Sequence, residues 1–283
     1  MSITGAAKLA GIIGWPVAHS RSPALHGYWL KQHGIDGAYV PMAVKPENLR
    51  RALQALPLLG FAGCNLTIPH KEEALRTVDT LEQSAKRAGG VNTVVIDARG
   101  QITGSSTDGY GFIAALRAAA PRFDAGQAPA VVLGAGGAAR AIVAALLDDG
   151  AGEVRLVNRT PARATKLAKE LGGEVRGVLW ENRAEALAGA GLLVNATSLG
   201  MEGQPALDLP LDALPPEAVV NDIVYVPLET PLLAAARRRG NLCFDGLGML
   251  LHQAAPGFEA WFGVKPEIGD GLRQAVLATL QKK

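Results

Sequence analysis

Short apolar runs recur along the chain, each broken by glycine, proline or a polar cluster. They alternate with longer segments whose apolar positions repeat at helical spacing. Lys8–Gly14, Ala38–Val44 and Phe61–Leu66 read as strands, with helices predicted over Pro23–His33 and Pro46–Ala55. Pro69–Leu75 and Leu81–Arg87 are predicted as shorter helices. Val91–Asp97 and Gln101–Gly104 read as a hairpin closed by Ala98-Arg99-Gly100. Asp108–Ala119 is predicted as a connecting helix, and Pro121–Pro129, with two prolines and a glycine, as a linker. From Ala130 the rhythm becomes strand, helix, strand, helix. Ala130–Leu133, Glu153–Val157, Glu174–Val178, Leu192–Asn195 and Val219–Ile223 are the strands. This is the pattern of an α/β protein whose second part is a doubly wound nucleotide domain. Gly246–Phe262 and Pro266–Gln281 read as two helices with no strand between them. Lacking strand partners, they are expected to pack back on the first domain.

One stretch organises the second part. The apolar run Ala130-Val131-Val132-Leu133 breaks into Gly134-Ala135-Gly136-Gly137-Ala138-Ala139, with G-x-G-x-x-A spacing, and a periodic alanine-rich segment, Ala138–Leu147, follows. Gly134 suits a tight turn, and Gly136 lets backbone approach a pyrophosphate held by helix N–H groups and the helix dipole. Strand before and helix after turn a common glycine pattern into a specific sign of dinucleotide binding. The next strand ends in Asn158-Arg159-Thr160, with Arg163 close behind. That place, roughly 20 residues beyond the first glycine, usually carries an acid for the ribose 2′-hydroxyl of NAD. A carboxylate would repel a 2′-phosphate by roughly 4 kcal/mol at 4 Å and an effective dielectric of 20. A neutral Asn158 beside two arginines inverts that sign, so the cofactor expected is NADP.

Composition narrows the function further. Of the 283 residues 48% are hydrophobic and 5% aromatic, ample for a core of α/β type, and the formal net charge is +2. A near-neutral chain without basic runs interleaved with aromatics gives nucleic-acid binding little support. Cys64 and Cys243 make neither a CxxC pair nor a metal spacing, and the five histidines make no HExxH. Neither a disulfide framework nor a metal site is expected. The apolar start, Leu9–Val17, is short and interrupted, so neither a signal peptide nor a membrane span is expected. The expectation is a soluble cytoplasmic protein.

Several polar groups sit where ligands bind. Ser20-Arg21-Ser22-Pro23 enters a predicted helix, and its two hydroxyls and free N–H groups suit a carboxylate. The plain alternative is an N-cap, which needs Ser22 alone. Asn65-Leu66-Thr67-Ile68-Pro69-His70-Lys71 follows a strand, with Asn65 and Thr67 on one face. Lys71 falls in the first turn of the predicted helix, where the macrodipole disfavours a cation. Asp108 reads as an N-cap or as an acid at the seam between domains. Hydride transfer to a ketone needs a proton donor or cation at the developing alkoxide, which a lysine with an aspartate partner supplies. Asn195–Met201 and Asp222–Tyr225 follow strands and would border the cofactor. Gln253 lies on the first C-terminal helix.

Taken together, these segments resemble the shikimate dehydrogenase family over nearly the whole length. The matching motifs are GWPVAHSRSPALH (Gly14–His26), NLTIPHK (Asn65–Lys71), GGVNT (Gly89–Thr93), STDGYG (Ser106–Gly111), GAGGAAR, NRTPAR, NATSLGM and GLGMLLHQA. The resemblance implies a two-domain α/β enzyme that reduces 3-dehydroshikimate to shikimate with NADPH, on the route to chorismate and the aromatic amino acids. Residues 1–107 and 245–283 would form the substrate domain, residues 108–244 the Rossmann-like NADP domain, with the active site in the cleft between them. By motif, Lys71 and Asp108 are the implied catalytic pair. Ser20 and Ser22 hold the substrate carboxylate with Tyr225 near it, and Thr67, Asn92, Asp108 and Gln253 meet ring hydroxyls. Gly134, Ala135, Gly136, Gly137 and Ala138 hold the pyrophosphate. Asn158, Arg159, Thr160 and Arg163 take the 2′-phosphate. Thr197, Ser198, Ile223, Gly246 and Met249 complete the cofactor site. Two positions depart from the pattern: Gly27 and Ser106 each stand where the family has Asn.

Three other readings stay open at this point. One is a quinate/shikimate or aminoshikimate dehydrogenase of the same family. Another is a non-catalytic NADP-binding regulator, which would not need Lys71 and Asp108 together. A tetrahydrofolate-type dehydrogenase shares the two-domain plan, but the Ser-x-Ser-Pro site argues against it. Monomer and homodimer are both compatible with the sequence.

Overall fold

An apolar strand needs partners for its backbone as well as cover for its side chains, and here two separate sheets supply both. The computed structural model describes residues 3–280. The chain divides into two units, one of Met1–Thr107 with Leu251–Lys283, the other of Asp108–Leu250. The outermost residues of the expected substrate domain, 1–2 and 281–283, lie outside the described residues.

The front of the first unit runs β1 (Lys8–Gly14), α1 (Ser22–Gln32), β2 (Gly37–Ala43), α2 (Leu49–Leu58), β3 (Phe61–Leu66), β4 (Thr80–Leu81), α3 (Gln83–Ala88), β5 (Thr93–Ile96) and β6 (Ile102–Ser105). Among the described residues these strands form a six-stranded sheet ordered β2-β1-β3-β5-β6-β4. β1 lies parallel to β2 and β3, with Ile12 opposite Pro41 and Asn65. The predicted hairpin is β5–β6, with Ile96 opposite Ile102. Asp97 Oδ1 secures its turn by accepting from the Arg99 and Gln101 N–H groups, both at 2.9 Å.

The second unit begins with α4 (Asp108–Ala119) and continues β7 (Ala130–Leu133), α5 (Gly137–Asp148), β8 (Val154–Asn158), α6 (Pro161–Leu171), β9 (Val175–Leu179), β10 (Leu192–Asn195), β11 (Val219–Asp222), α7 (Pro231–Arg238) and β12 (Leu242–Phe244). Its described residues form a parallel sheet ordered β12-β11-β10-β7-β8-β9. β7 shows why the run AVVL has no polar position. Val132 packs into the core on one face, Val131 and Leu133 into the core on the other, and all three are fully buried. α8 (Leu247–Phe262) and α9 (Asp270–Leu280) close the chain. The predicted end of the last helix, Gln281, lies outside the described residues.

Three expectations need correction. Pro69–Leu75 is not an α-helix; turns lead into a single 3-10 turn at Glu73–Arg76. The segment is tied down at its start, where the His70 N–H reaches Thr67 O at 2.9 Å and Lys71 O accepts from the Val91 N–H at 2.8 Å. The Val91 bond takes the carbonyl that the Leu75 N–H would use in a helix, and that N–H turns instead to Glu72 O at 3.2 Å. Thr80–Leu81, at the predicted start of a helix, pairs as a strand with β6. The three-residue β12 and the helix α7 were not foreseen.

The expected return of the C-terminal helices is seen within the first unit. Phe258 and Trp261 from α8 join His26, Trp29 and Tyr39 in one aromatic cluster. Trp261 Nε1–H donates to Val94 O at 2.9 Å, and Trp29 Nε1–H to Glu267 O at 2.9 Å. The imidazole of His26 is fully buried there, stacked on the Tyr39 ring with centroids 4.0 Å apart. Burial pushes its pKa down to about 3, against a smaller upward pull from the Asn65 side chain. The folded protein therefore refuses a proton that the unfolded chain binds below about pH 6.5. This cost is absent above that pH and grows as pH falls toward 3, by up to ~1.4 kcal/mol per pH unit. Unfolding free energies from urea titrations between pH 7 and 4 will fall less steeply in His26→Phe than in the parent chain, by about one proton. Equal slopes would show that His26 is not the group responsible.

Candidate functional site

In the first unit, polar residues collect at the strand ends that face away from the hairpin turn. α1 begins at Ser22, so Arg21 takes the N-cap position and Pro23 falls within the first turn. This corrects the sequence expectation, in which Ser22 was the cap. No side chain caps the helix through the usual bond. Ser20 Oγ instead accepts from the Ser22 N–H at 3.3 Å. Arg21, between the serines, is turned away, its guanidinium donating to Thr279 O at 2.8 Å in the last turn of α9.

The NLTIPHK segment leaves β3 in a defined path. The Thr67 N–H donates to Ile13 O at 3.0 Å, and His70 Nε2–H to Val44 O at 2.8 Å. Lys71 follows in a turn rather than a helix, so the macrodipole argument does not apply to it. Its room is guarded by Gly90, where a Cβ would stand 3.2 Å from Lys71 Cβ. Asn92 is buried and held on every side. Its Oδ1 accepts from the Thr107 N–H at 2.8 Å and from Thr93 Oγ1 at 2.9 Å. Its Nδ2 donates to Gln253 Oε1 at 3.3 Å. Thus Asn92 and Gln253, 161 residues apart, meet within one unit. Ser20 and Ser22 likewise stand together.

The second unit carries the glycine loop. Gly134 adopts φ +109°, and a Cβ on it would approach Ala196 O at 2.9 Å, so glycine is required twice over. Gly136 is the N-cap of α5 and leaves the first-turn N–H groups without a side-chain cap. Cβ atoms at Gly136 and Gly137 would meet nothing within 4 Å. Open space at an uncapped helix start is what an incoming phosphate needs. Ala135 and Ala138 flank that opening. β8, paired to β7, ends beside it in Asn158, whose Nδ2 donates to Thr160 O at 3.0 Å. Arg159, Thr160 and Arg163 are exposed at the start of α6. The residues present therefore fit a dinucleotide with an anionic ribose.

The next strand ends are braced by a buried amide and acid. Asn195 Oδ1 accepts from Thr197 N–H at 3.1 Å and Oγ1–H at 2.7 Å, and its Nδ2 donates to Asp222 Oδ1 at 3.0 Å. Asp222 also accepts from Thr230 Oγ1–H at 2.7 Å and the Val224 N–H at 3.0 Å. Burial pushes its carboxyl pKa up, and these donors oppose the shift. Ser198 projects from the loop so formed, and the Ile223 N–H donates to Asn195 O at 3.0 Å. Tyr225 follows in the loop after β11, and Met249 packs on the core beneath α5. Gly246 lies so close to Ile223 that a Cβ would overlap its carbonyl oxygen. Asp108 is the first residue of α4 and belongs to this unit, whereas Lys71 belongs to the other.

Three stretches match known family domains. Residues 12–94 match the shikimate dehydrogenase substrate binding domain, 117–201 the shikimate/quinate 5-dehydrogenase family, and 246–277 the shikimate 5′-dehydrogenase C-terminal domain. A curated relative from Paramagnetospirillum magneticum, "Shikimate dehydrogenase (NADP(+))", is 59% identical over 98% of this chain and 100% of its own length. The chain belongs to the shikimate dehydrogenase family. A second shikimate dehydrogenase (NADP(+)), from Rhodospirillum rubrum, is 59% identical over 97% of this chain and 99% of its own. Among solved structures, the Thermus thermophilus shikimate 5-dehydrogenase in complex with NADP(H) and shikimate aligns with TM-score 0.85 and 40% identity, covering 96% of this chain and 99% of that one. Quinate dehydrogenase from Corynebacterium glutamicum in complex with NAD aligns with TM-score 0.89 and 33% identity, covering 96% and 99%. Among the described residues no cluster of His, Cys, Asp and Glu could hold a metal, and no helix is long and apolar enough to cross a membrane.

Sequence reasoning missed the residues that hold the others. Tyr39 was not among the candidates, Thr93 and Thr107 stood only inside matched motifs, and Asn195 and Asp222 only at the head of stretches expected to border the cofactor. Their signal was faint: buried polar groups at strand ends, where an apolar residue would be expected. Gly246 was expected to lie near the cofactor, and its packing adds a sharper demand. Gly246→Ala must push Ile223 aside and, through it, the strand-end loop. Thermal unfolding of this variant will shift down by several degrees, on the scale of about 1–3 kcal/mol for an overpacked site. An unchanged midpoint would mean that the close approach is not rigid.

Proposed function

We propose that this shikimate dehydrogenase family member catalyses the reversible NADPH-dependent reduction of 3-dehydroshikimate to shikimate. The observation that carries the reading is the 59% identity, over nearly the full length, to relatives named shikimate dehydrogenase (NADP(+)). The first unit is assigned the substrate and the second the cofactor. The setting assigned is the cytoplasm, with the enzyme acting as a monomer or homodimer.

Ser20, Ser22 and the N–H groups at the start of α1 take the substrate carboxylate, with Tyr225 near it. Thr67, Asn92 and Gln253 orient the ring through its hydroxyls. In the oxidative direction Lys71 accepts the proton leaving the substrate hydroxyl, or holds the oxyanion. Asp108 orients Lys71 and the neighbouring hydroxyl. In the reductive direction the same ammonium returns the proton to oxygen. Bound NADP supplies the hydride chemistry. Its pyrophosphate falls to Gly134–Ala138, its 2′-phosphate to Asn158, Arg159, Thr160 and Arg163, and its remaining length to Thr197, Ser198, Ile223, Gly246 and Met249. A second reading, quinate oxidation with NAD, is favoured by the similarity to the quinate dehydrogenase structure. The neutral Asn158 beside two arginines weighs against it. Reduction of NADP and NAD by purified protein with shikimate and with quinate separates the two. Turnover restricted to quinate and NAD would overturn the proposal.

Two substitutions probe the assigned roles. Lys71→Ala will lower kcat by about a hundredfold or more, the usual scale for a positioned acid–base group. Turnover near that of the parent chain would remove Lys71 from the mechanism. Replacing Arg159 and Arg163 together by Ala will raise KM for NADP by roughly 10- to 100-fold, as expected for lost charge-assisted bonds, while KM for NAD moves less than about threefold. Equal changes for both cofactors would show that the arginines do not read the 2′-phosphate.

A further inference from the structure

Tyr39 is buried beside the strand-end amide of Asn65. Its hydroxyl donates to Asn65 Oδ1 at 2.6 Å. Asn65 Nδ2 donates to Asn92 O at 3.1 Å and to Thr93 Oγ1 at 3.2 Å. Thr93 Oγ1–H in turn donates to Asn92 Oδ1 at 2.9 Å. The path thus runs through four side chains of the first unit, Tyr39, Asn65, Thr93 and Asn92, from β2 across β3 to the start of β5.

Its direction can be worked out from the backbone groups it touches. Asn65 Nδ2 faces a carbonyl, so it must donate, and Asn65 Oδ1 must accept. Tyr39 has one proton and gives it to Asn65. At the far end the Thr107 N–H reaches Asn92 Oδ1, so that oxygen must accept. It also takes Thr107 Oγ1 at 3.1 Å. With its oxygen filled by three donors, Asn92 meets a ligand only through N–H. Thr93 Oγ1 also lies 3.2 Å from Thr107 Oγ1, and whichever hydroxyl donates there, the Thr107 N–H keeps the Asn92 oxygen an acceptor. The Tyr39 ring is itself fixed by stacking on His26.

We propose that Tyr39, Asn65 and Thr93 are positioning residues for the substrate, joined in one relay that locks Asn92 as an N–H donor toward a hydroxyl or keto oxygen. The proposal rests on the shikimate reading above. Tyr39→Phe keeps the ring and deletes the proton that Asn65 needs. Thr93→Val keeps the shape and deletes the link to Asn92. In steady-state kinetics each variant will raise KM for shikimate about tenfold, the scale of one buried hydrogen bond, with a smaller fall in kcat. KM for NADP will stay within about twofold, and Thr93→Ser will restore the shikimate KM. A purely structural role would lower the melting temperature without moving KM. Wild-type turnover with shikimate KM unmoved in both variants overturns the relay alone. A wild-type chain unable to reduce NADP with shikimate overturns the assigned reaction, and this inference with it.

Discussion

A buried primary amide must pair both of its ends, and two such amides govern the polar ends of the two sheets. Asn92 enters β5 with its oxygen filled by Thr93 and Thr107. Asn195 ends β10 with its oxygen filled by Thr197. In each case one donor is a backbone N–H, which decides which end of the amide is oxygen. The amino end is then fixed in direction, toward Gln253 in one unit and toward Asp222 in the other. An apolar residue at either place would pack equally well and would leave the adjoining loop without a reason to take one path. Burying an amide is costly unless every bond is made, and that cost is what makes the orientation unique.

Close backbone approach is the complementary constraint. At Gly134 and Gly246 the chain passes within contact distance of the neighbouring strand-end loops, at Ala196 and Ile223 respectively. Any side chain there would push those loops outward. The loops that leave β7, β10 and β11 are thus held to one another by backbone, while the amide–acid pair Asn195–Asp222 holds them by side chain. Parallel strands gather these loops at one end of the sheet, which is why residues so far apart in sequence stand together there.

Much of this was legible before any coordinates. The apolar run of β7 reads as buried on both faces because a parallel sheet covers both, and the glycines after it read as a phosphate turn because strand and helix flank them. What escaped is long-range. Tyr39 looks like an ordinary strand tyrosine until β1, lying between β2 and β3, sets it within reach of Asn65. Thr93 shows its use only when Asn65 and Asn92 are both in view. The helix expected over Pro69–Leu75 failed for a related reason. The composition PHKEEAL favours helix, but the bond from Val91 claims the Lys71 carbonyl that a helix would use. Local propensity is weak beside such ties.

The two departures from the family pattern take different physical meanings from this. A Cβ at Gly27 would meet nothing within 4 Å, so neither packing nor backbone geometry asks for glycine there. In the interior of α1 it costs about 1 kcal/mol of helix propensity, and that cost stays local. Ser106 differs, because it is nearly buried and its N–H donates to Ser84 Oγ at 3.1 Å. It directly precedes Thr107, whose N–H and hydroxyl fill the Asn92 oxygen. A shorter side chain at this point leaves the backbone, pinned by Ser84 on one side and by Asn92 on the other, to set the approach to Asp108. The path of the chain into Asp108 is therefore set by main-chain N–H groups and does not need a side-chain amide at position 106.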